Sequence, residues 1–184
     1  VLFSSMFGGI EVIWDKQFGF LKETLVAPVP RTVIMLGRTL GGATVATLQG
    51  IFVFILTLFV GFRPEISPLL LLAPFYMLLF AILFTALGTA IASRLNDMQA
   101  FPLVMNFLIM PMFFLSGALF PIDQLPAALK FVVQVNPVSY GVDGMRILLI
   151  HLGHFSLLLD VVVLAVVASL CIAVGAVLFK RIEA

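Results

Sequence analysis

The sequence predicts an all-α fold: a polytopic transmembrane helical bundle with a re-entrant helical hairpin on its outer face. Three observations predict it. Of 184 residues 62% are hydrophobic, only 10% are charged, and mean hydropathy is +1.24. A soluble domain carries about 25% charged residues and roughly half apolar ones, and one this small leaves too much surface in water to hide such a chain. Next, apolar runs of the length that crosses a bilayer, about 20 residues, recur along the sequence. Finally, charges and most prolines gather between those runs.

In chain order, residues 1–13 read as the tail of a span, and the apolar start at Val1 shows no signal-peptide pattern of basic region and cleavage site. Residues before Val1 are therefore expected to belong to the same protein. Residues 14–31 are polar and mixed. The run 32–62 carries a charge only at Arg38, near its start, so its helix is expected to begin in the interface. Arg63-Pro64-Glu65 turns the chain into a span at 69–93, which Arg94-Leu95-Asn96-Asp97 ends. Another span is expected at 101–120 and the last at 155–179, closed by Lys180-Arg181. Residues 121–154 are broken by Pro121, Pro126 and Pro137. No repeat, low-complexity tract or soluble domain interrupts the single membrane domain 1–184.

Basic residues set the orientation. With 14–31 cytoplasmic, Lys16, Lys22, Arg31, Arg38, Arg94, Lys180 and Arg181 lie inside, against Arg63, Lys130 and Arg146 outside. That requires 121–154 to enter and leave on the same side. A span at 138–152 would instead bury Asp143 and Arg146 at mid-membrane, where charge is expensive. The segment 121–154 thus reads as two short helices dipping back to the outer face. Asp123 is placed to cap the first, which ends at Asn136-Pro137, and Ser139 to cap the second. The carboxyl terminus is expected in the cytoplasm of a multi-pass inner-membrane protein.

In the amphipathic stretch 14–26, Trp14, Phe18, Leu21 and Leu25 share one face. Asp15, Gly19, Lys22 and Glu23 share the other, and Pro28 and Pro30 stop the helix. Such a helix either lies at the lipid headgroups or docks in a groove of a cytoplasmic partner.

The stretch DKQFGFLKETLVAPVPRTVIMLGRTLGG resembles the cytoplasmic loop of type-2 ATP-binding-cassette (ABC) transporter permeases, above all the drug-resistance and nodulation-factor exporters. A second match runs over residues 101–149. There Ser116-Gly117, Phe120-Pro121, Leu125-Pro126, Asn136-Pro137 and Asp143/Arg146 follow the family's order. The resemblance covers nearly the whole chain and implies that an amino-terminal interface helix and first span precede Val1. It also implies a division of labour. Two permease copies, alike or different, form the export pathway in the bilayer, and separate cytoplasmic ATPase subunits hold ATP and Mg. By the same resemblance the loop becomes a coupling helix. Asp15, Lys16, Phe18, Gly19, Phe20, Leu21, Lys22 and Glu23 would meet the ATPase, with Phe18 and Leu21 holding the bundle. The outer hairpin, with Asp123, Pro126, Asn136, Pro137, Asp143 and Arg146, would gate or seal the exit. The chain has no phosphate-cradling G-x-x-x-x-G-K-[ST] motif, so ATP would act through the partner.

Gly37, Gly41, Gly42, Thr44 and Thr47 form a small-residue stripe suited to close helix approach, within one copy or between two. Gln49, Asn106 and Ser116 are polar at membrane depth and either line a pathway or bond between helices. Asp160, about one turn inside the last span, is either a functional intramembrane acid or, as its place near the helix start favours, one stabilised by the helix dipole. Asp143 and Arg146, three apart, are expected to pair. His151 and His154 fall short of the three or four ligands of a zinc site, and the lone Cys171 excludes a disulfide within the chain. A charge of +1 gives no reason to expect nucleic acid. No triad or paired-carboxylate site suggests an enzyme. The reading is a permease subunit of an ATP-driven exporter. The alternative is an ATP-independent secondary transporter or channel, which would show deep charges and inverted repeats.

Overall fold

The computed structural model describes residues 1–20, 29–65, 67–119 and 127–180. The roles expected of Leu21, Lys22, Glu23, Asp123, Pro126 and Arg181 lie outside the described residues. All regular structure within them is helical.

Two short helices open the chain, α1 (Leu2–Phe7) and α2 (Ile10–Phe18). Gly8 and Gly9 join them in right-handed conformation, so the axis bends without reversing. Gly19 then adopts φ 81°, the left-handed cap that glycine supplies without a Cβ clash. The helix expected at 14–26 thus begins earlier, inside α2, and breaks at Gly19. Pro30 precedes α3 (Arg31–Phe59), whose 29 residues span about 44 Å at 1.5 Å each. This exceeds the roughly 30 Å hydrocarbon thickness, so one end of α3 projects beyond it. A 3₁₀ turn at Pro68–Leu72, capped by Ser67, leads into α4 (Ala73–Ala92).

Helix α5 (Ala100–Phe114) has 15 residues, about 22 Å, and Leu115 and Gly117 (φ 74°) turn the chain away. It is shorter than the 101–120 run suggested, and too short to cross a hydrocarbon core unaided. Helices α6 (Ala127–Val135) and α7 (Pro137–Ile150) meet at Asn136. The cap of α7 is Asn136, whose Oδ1 accepts the Val138 N–H at 3.0 Å, with Pro137 in the first turn. Ser139, expected as that cap, instead lies one turn in and is buried. The last helix is α8 (Leu157–Lys180).

Three of these segments, Arg31–Phe59, Pro68–Ala92 and Leu157–Phe179, are long and apolar enough to cross a membrane. Helix α4 is the centre, packed by α1, α3, α7 and α8. On α8 only the stripe Asp160, Leu164, Ala168, Gly175 and Phe179 is buried, while Leu158, Val162, Val166, Leu170 and Val174 are exposed. A helix apolar all round with one packed stripe is what lipid permits and water does not.

Glycines set the tightest crossings. A Cβ on Gly88 would lie 2.3 Å from the Met6 carbonyl oxygen, and one on Gly9 2.5 Å from the Gly88 carbonyl. Across α4 and α7, Phe80 sits over Gly141 and Tyr76 over Gly144.

Candidate functional site

At one end of the bundle α2 is tied to its neighbours by polar bonds. Asp15 forms an ion pair with Arg38 of α3. Lys16 Nζ donates to the carbonyls of Ser93 at 2.7 Å, Leu95 at 3.2 Å and Ala92 at 3.4 Å. These carbonyls lie at and just beyond the carboxyl end of α4, where a cation is favoured. Burial holds the Lys16 ammonium below the ordinary lysine value. Gln17 Nε2 donates to the Asn96 carbonyl at 3.0 Å. Asp15 and Lys16, expected to meet a partner, are thus engaged within the chain.

Beyond them the chain presents aromatic surface. Phe18 is 68% exposed and Phe20 58%, on either side of Gly19. The expectation that Phe18 holds the bundle is corrected: α2 ends before its ring can turn inward, and Val12 and Ile13 make the buried contact instead. Among the described residues nothing lies within 4 Å of a Cβ built on Gly19.

The small-residue stripe of α3 splits into two faces. Thr39, Ala43, Ala46, Thr47 and Gly50 are buried, and Gly42 meets Thr85 at 2.8 Å from a built Cβ. Gly37, Gly41 and Thr44 are exposed, and no atom lies within 4 Å of a Cβ on either glycine. Of the polar residues at membrane depth, Gln49 accepts the Ser4 hydroxyl from α1. Ser116 Oγ donates to the Phe113 carbonyl at 2.6 Å and is buried in the turn after α5. Asn106 is exposed on α5.

At the opposite end the Glu65 N–H bonds the Leu149 carbonyl, fastening the α3–α4 connection to α7. Asp143 and Arg146 do not pair. The Asp143 carboxylate accepts the His154 N–H at 2.8 and 3.0 Å and the Phe155 N–H at 2.8 Å, folding the α7–α8 connection onto α7. Arg146 donates to the Gly117 carbonyl at 2.9 Å. The two side chains sit three apart yet serve different neighbours, because unsatisfied backbone groups lie closer to each. Asn136 Nδ2 donates to the Met112 carbonyl at 2.6 Å, binding α7 to α5. Here α1, α4 and α7 enclose an apolar cavity of about 590 Å³. Phe3, Phe80 and Phe113 are in its wall, and Arg146 is its charged side chain.

Asp160, in the first turn of α8, is fully buried. Neither of its oxygens has a hydrogen-bond partner. The free N–H groups at the helix start are served elsewhere: Ser156 Oγ accepts from Leu159 and Ser156 O from Asp160. Asp160, expected to sit at the positive end of the helix dipole, thus makes no capping bond.

Sequence reasoning missed the Asp15–Arg38 pair and the lysine cap. Their partners lie 23 and 76–79 positions away, beyond any local pattern. For Lys16 a signal existed: a cation on a helix that packs beside the unprotected end of another.

Comparison with known proteins agrees with this architecture. The family model described as ABC-2 type transporter matches residues 1–150. A "putative transport permease ycf38" of Pyropia yezoensis is 32% identical over 156 residues, covering 80% of this chain and 53% of the relative. Nodulation protein J of Rhizobium meliloti (strain 1021) is 30% identical over 125 residues, 65% of this chain and 47% of the relative. The inner membrane transport permease YadH of Escherichia coli (strain K12) is 29% identical over 126 residues, 68% and 48%. The chain thus spans about half the length of the curated relatives it matches. No solved structure matches it. An all-helical membrane bundle, matched by this family model over most of its length, belongs to the ABC-2 type transporter family of membrane transport permeases.

Proposed function

We propose that the chain is the membrane-spanning part of a permease that exports substrate under the drive of separate cytoplasmic ATPase subunits. It works beside a second permease copy, and ATP and Mg reside on the ATPases. The observation that carries this reading is the Phe18–Gly19–Phe20 corner. Two large aromatic side chains are exposed at the end of the bundle where Lys16, Arg31, Arg38 and Arg94 gather. By the positive-inside rule we read this as the cytoplasmic end, and the carboxyl terminus as inside with it. Exposed aromatics in water rather than lipid mark a surface for a partner.

The corner is also mechanically connected. Lys16 and Gln17, just before the corner, are bonded to the end of α4 and the residues after it. Asp15 is bonded to α3. A push on Phe18 and Phe20 therefore reaches the central helix through short polar bonds. An ATPase can shift the bundle only by contacts that differ between its two states, and this corner is where they would differ. The exposed Gly37–Gly41–Thr44 stripe supports close approach of a second copy along α3. At the other end, the hairpin containing Asn136, Asp143 and Arg146 would close the exit.

The test replaces both aromatics, Phe18→Asp and Phe20→Asp, in the full-length permease. Gly19 is a poorer probe, because at φ 81° any side chain strains the backbone. Expression and thermal stability should hold while co-purified ATPase and coupled hydrolysis fall at least tenfold. Full retention of complex and hydrolysis would sink the docking role of this corner.

A further inference from the structure

We infer that Asp160 is a proton-binding site within the bundle: it carries a proton whenever α4, α7 and α8 close over it. Asp160 is 0% exposed, and neither carboxyl oxygen has a hydrogen-bond partner. An ionised carboxylate left unpaired in an apolar interior is too costly to persist, and such groups neutralise. What remains is to identify what neutralises it.

The neighbouring groups are already engaged. From α4, Tyr76 faces Asp160; from α7, Tyr140 and Asp143 do. The Tyr76 hydroxyl donates to the Tyr140 carbonyl at 2.6 Å, and the Tyr140 hydroxyl to the Gln134 carbonyl at 2.7 Å. Asp143 accepts backbone N–H groups of His154 and Phe155 and offers Asp160 no donor. Arg146, on α7 too, is turned to the Gly117 carbonyl. On α3 the stretch from Leu40 to Phe59 holds no titratable side chain, and neither does the turn Pro68–Leu72.

Space decides among the occupants. Each Asp160 oxygen exposes less than 1 Å², so neither a metal ion nor a bridging water fits against it. The cavity beside it, about 210 Å³, is apolar: Leu72, Phe75, Leu148, Leu157 and Val161 wall it, and Asp160 does not line it. A proton needs no such space. When the three helices part, water reaches the carboxyl, the O–H bond breaks, and the proton leaves on water. When they close, the carboxylate takes a proton back. Protonation of Asp160 thereby reports and biases the closed state, whether or not ATP drives the opening.

Infrared difference spectroscopy of the full-length permease in lipid at pH 7.5, wild type minus Asp160→Asn, tests this. The inference predicts loss of one protonated-carboxyl C=O band, with the carboxylate bands unchanged. Loss of carboxylate intensity instead would overturn it. Should Asp160→Asn fail to fold, the wild type alone still decides. It should give a protonated-carboxyl band at pH 7.5, and the absence of any such band overturns the proposal. Neither outcome depends on ATPase docking, so this inference and the exporter reading fail separately.

Discussion

Replacing Gly88 by Ala tests the packing that holds the bundle together. The added Cβ would sit 2.3 Å from the Met6 carbonyl oxygen and 3.1 Å from its carbon. Both atoms belong to backbone, so no rotamer change relieves the clash, and α1 must move back by about 1 Å to restore ordinary contact. Overpacking of this kind costs about 1–3 kcal/mol, and a rigid backbone neighbour argues for the upper end. Ala in place of Gly returns about 1 kcal/mol of helix propensity, leaving a net loss of about 2 kcal/mol. For a chain of this size that lowers Tm by about 4–8 °C. Gly41→Ala, measured on the monomeric permease in detergent so that the proposed second copy plays no part, is the control. No atom lies within 4 Å of its new Cβ, so the propensity gain stands alone and Tm should hold or rise. The assay is thermal unfolding of the purified full-length permease, followed by helical signal and by reactivity of Cys171, the one cysteine of this chain. Equal Tm for Gly88→Ala and wild type, or an equal loss in Gly41→Ala, would refute the assignment of inner and outer helix faces.

Further outcomes follow from the polar bonds. Lys16→Met removes the donor to three α4 carbonyls and should cost about 1 kcal/mol, read as a lower Tm. It should also lower hydrolysis per bound ATPase, because the corner loses its link to α4; unchanged coupling would contradict that link. Asp143→Asn weakens a buried charged acceptor of backbone N–H groups, a loss of about 1.5–3 kcal/mol. Hydrogen exchange at His154 and Phe155 should quicken, and slow exchange there would show that the connection is held by something else. In a Cys171→Ala background, Ser67→Cys should react with an impermeant thiol reagent from outside the cell and Asp97→Cys should not. The reverse pattern would invert the topology.

Much of the fold was legible because a bilayer imposes simple rules. The runs around α3, α4 and α8 are long, apolar and bounded by charge, so their lengths alone single them out. The amphipathic stretch after Trp14 was legible as a face but not as a helix end, since Gly19 can sit within a helix or finish one, and tertiary packing chose the second. The Asp143–Arg146 spacing suggested a pair. It gave way to backbone groups that only the folded connection brings near. Ser139 lost its capping role to Asn136 for a local reason: Pro137 fits the first turn and places the cap directly before itself. The small-residue stripe was visible, but its division into a face packed on α4 and a face open to the outside depends on helix rotation, which one-dimensional spacing leaves undetermined.

The central claim is that force enters this permease at Phe18–Gly19–Phe20. The most direct measurement is site-specific cross-linking in membranes that hold the full-length permease together with its ATPase. Photoreactive residues placed at positions 18 and 20, and at position 71 in the 3₁₀ turn before α4, would report which end the ATPase touches. The account predicts ATPase adducts from 18 and 20 that change yield when ATP is added, and none from 71. Adducts from 71, or none from 18 and 20 while hydrolysis remains coupled, would contradict it.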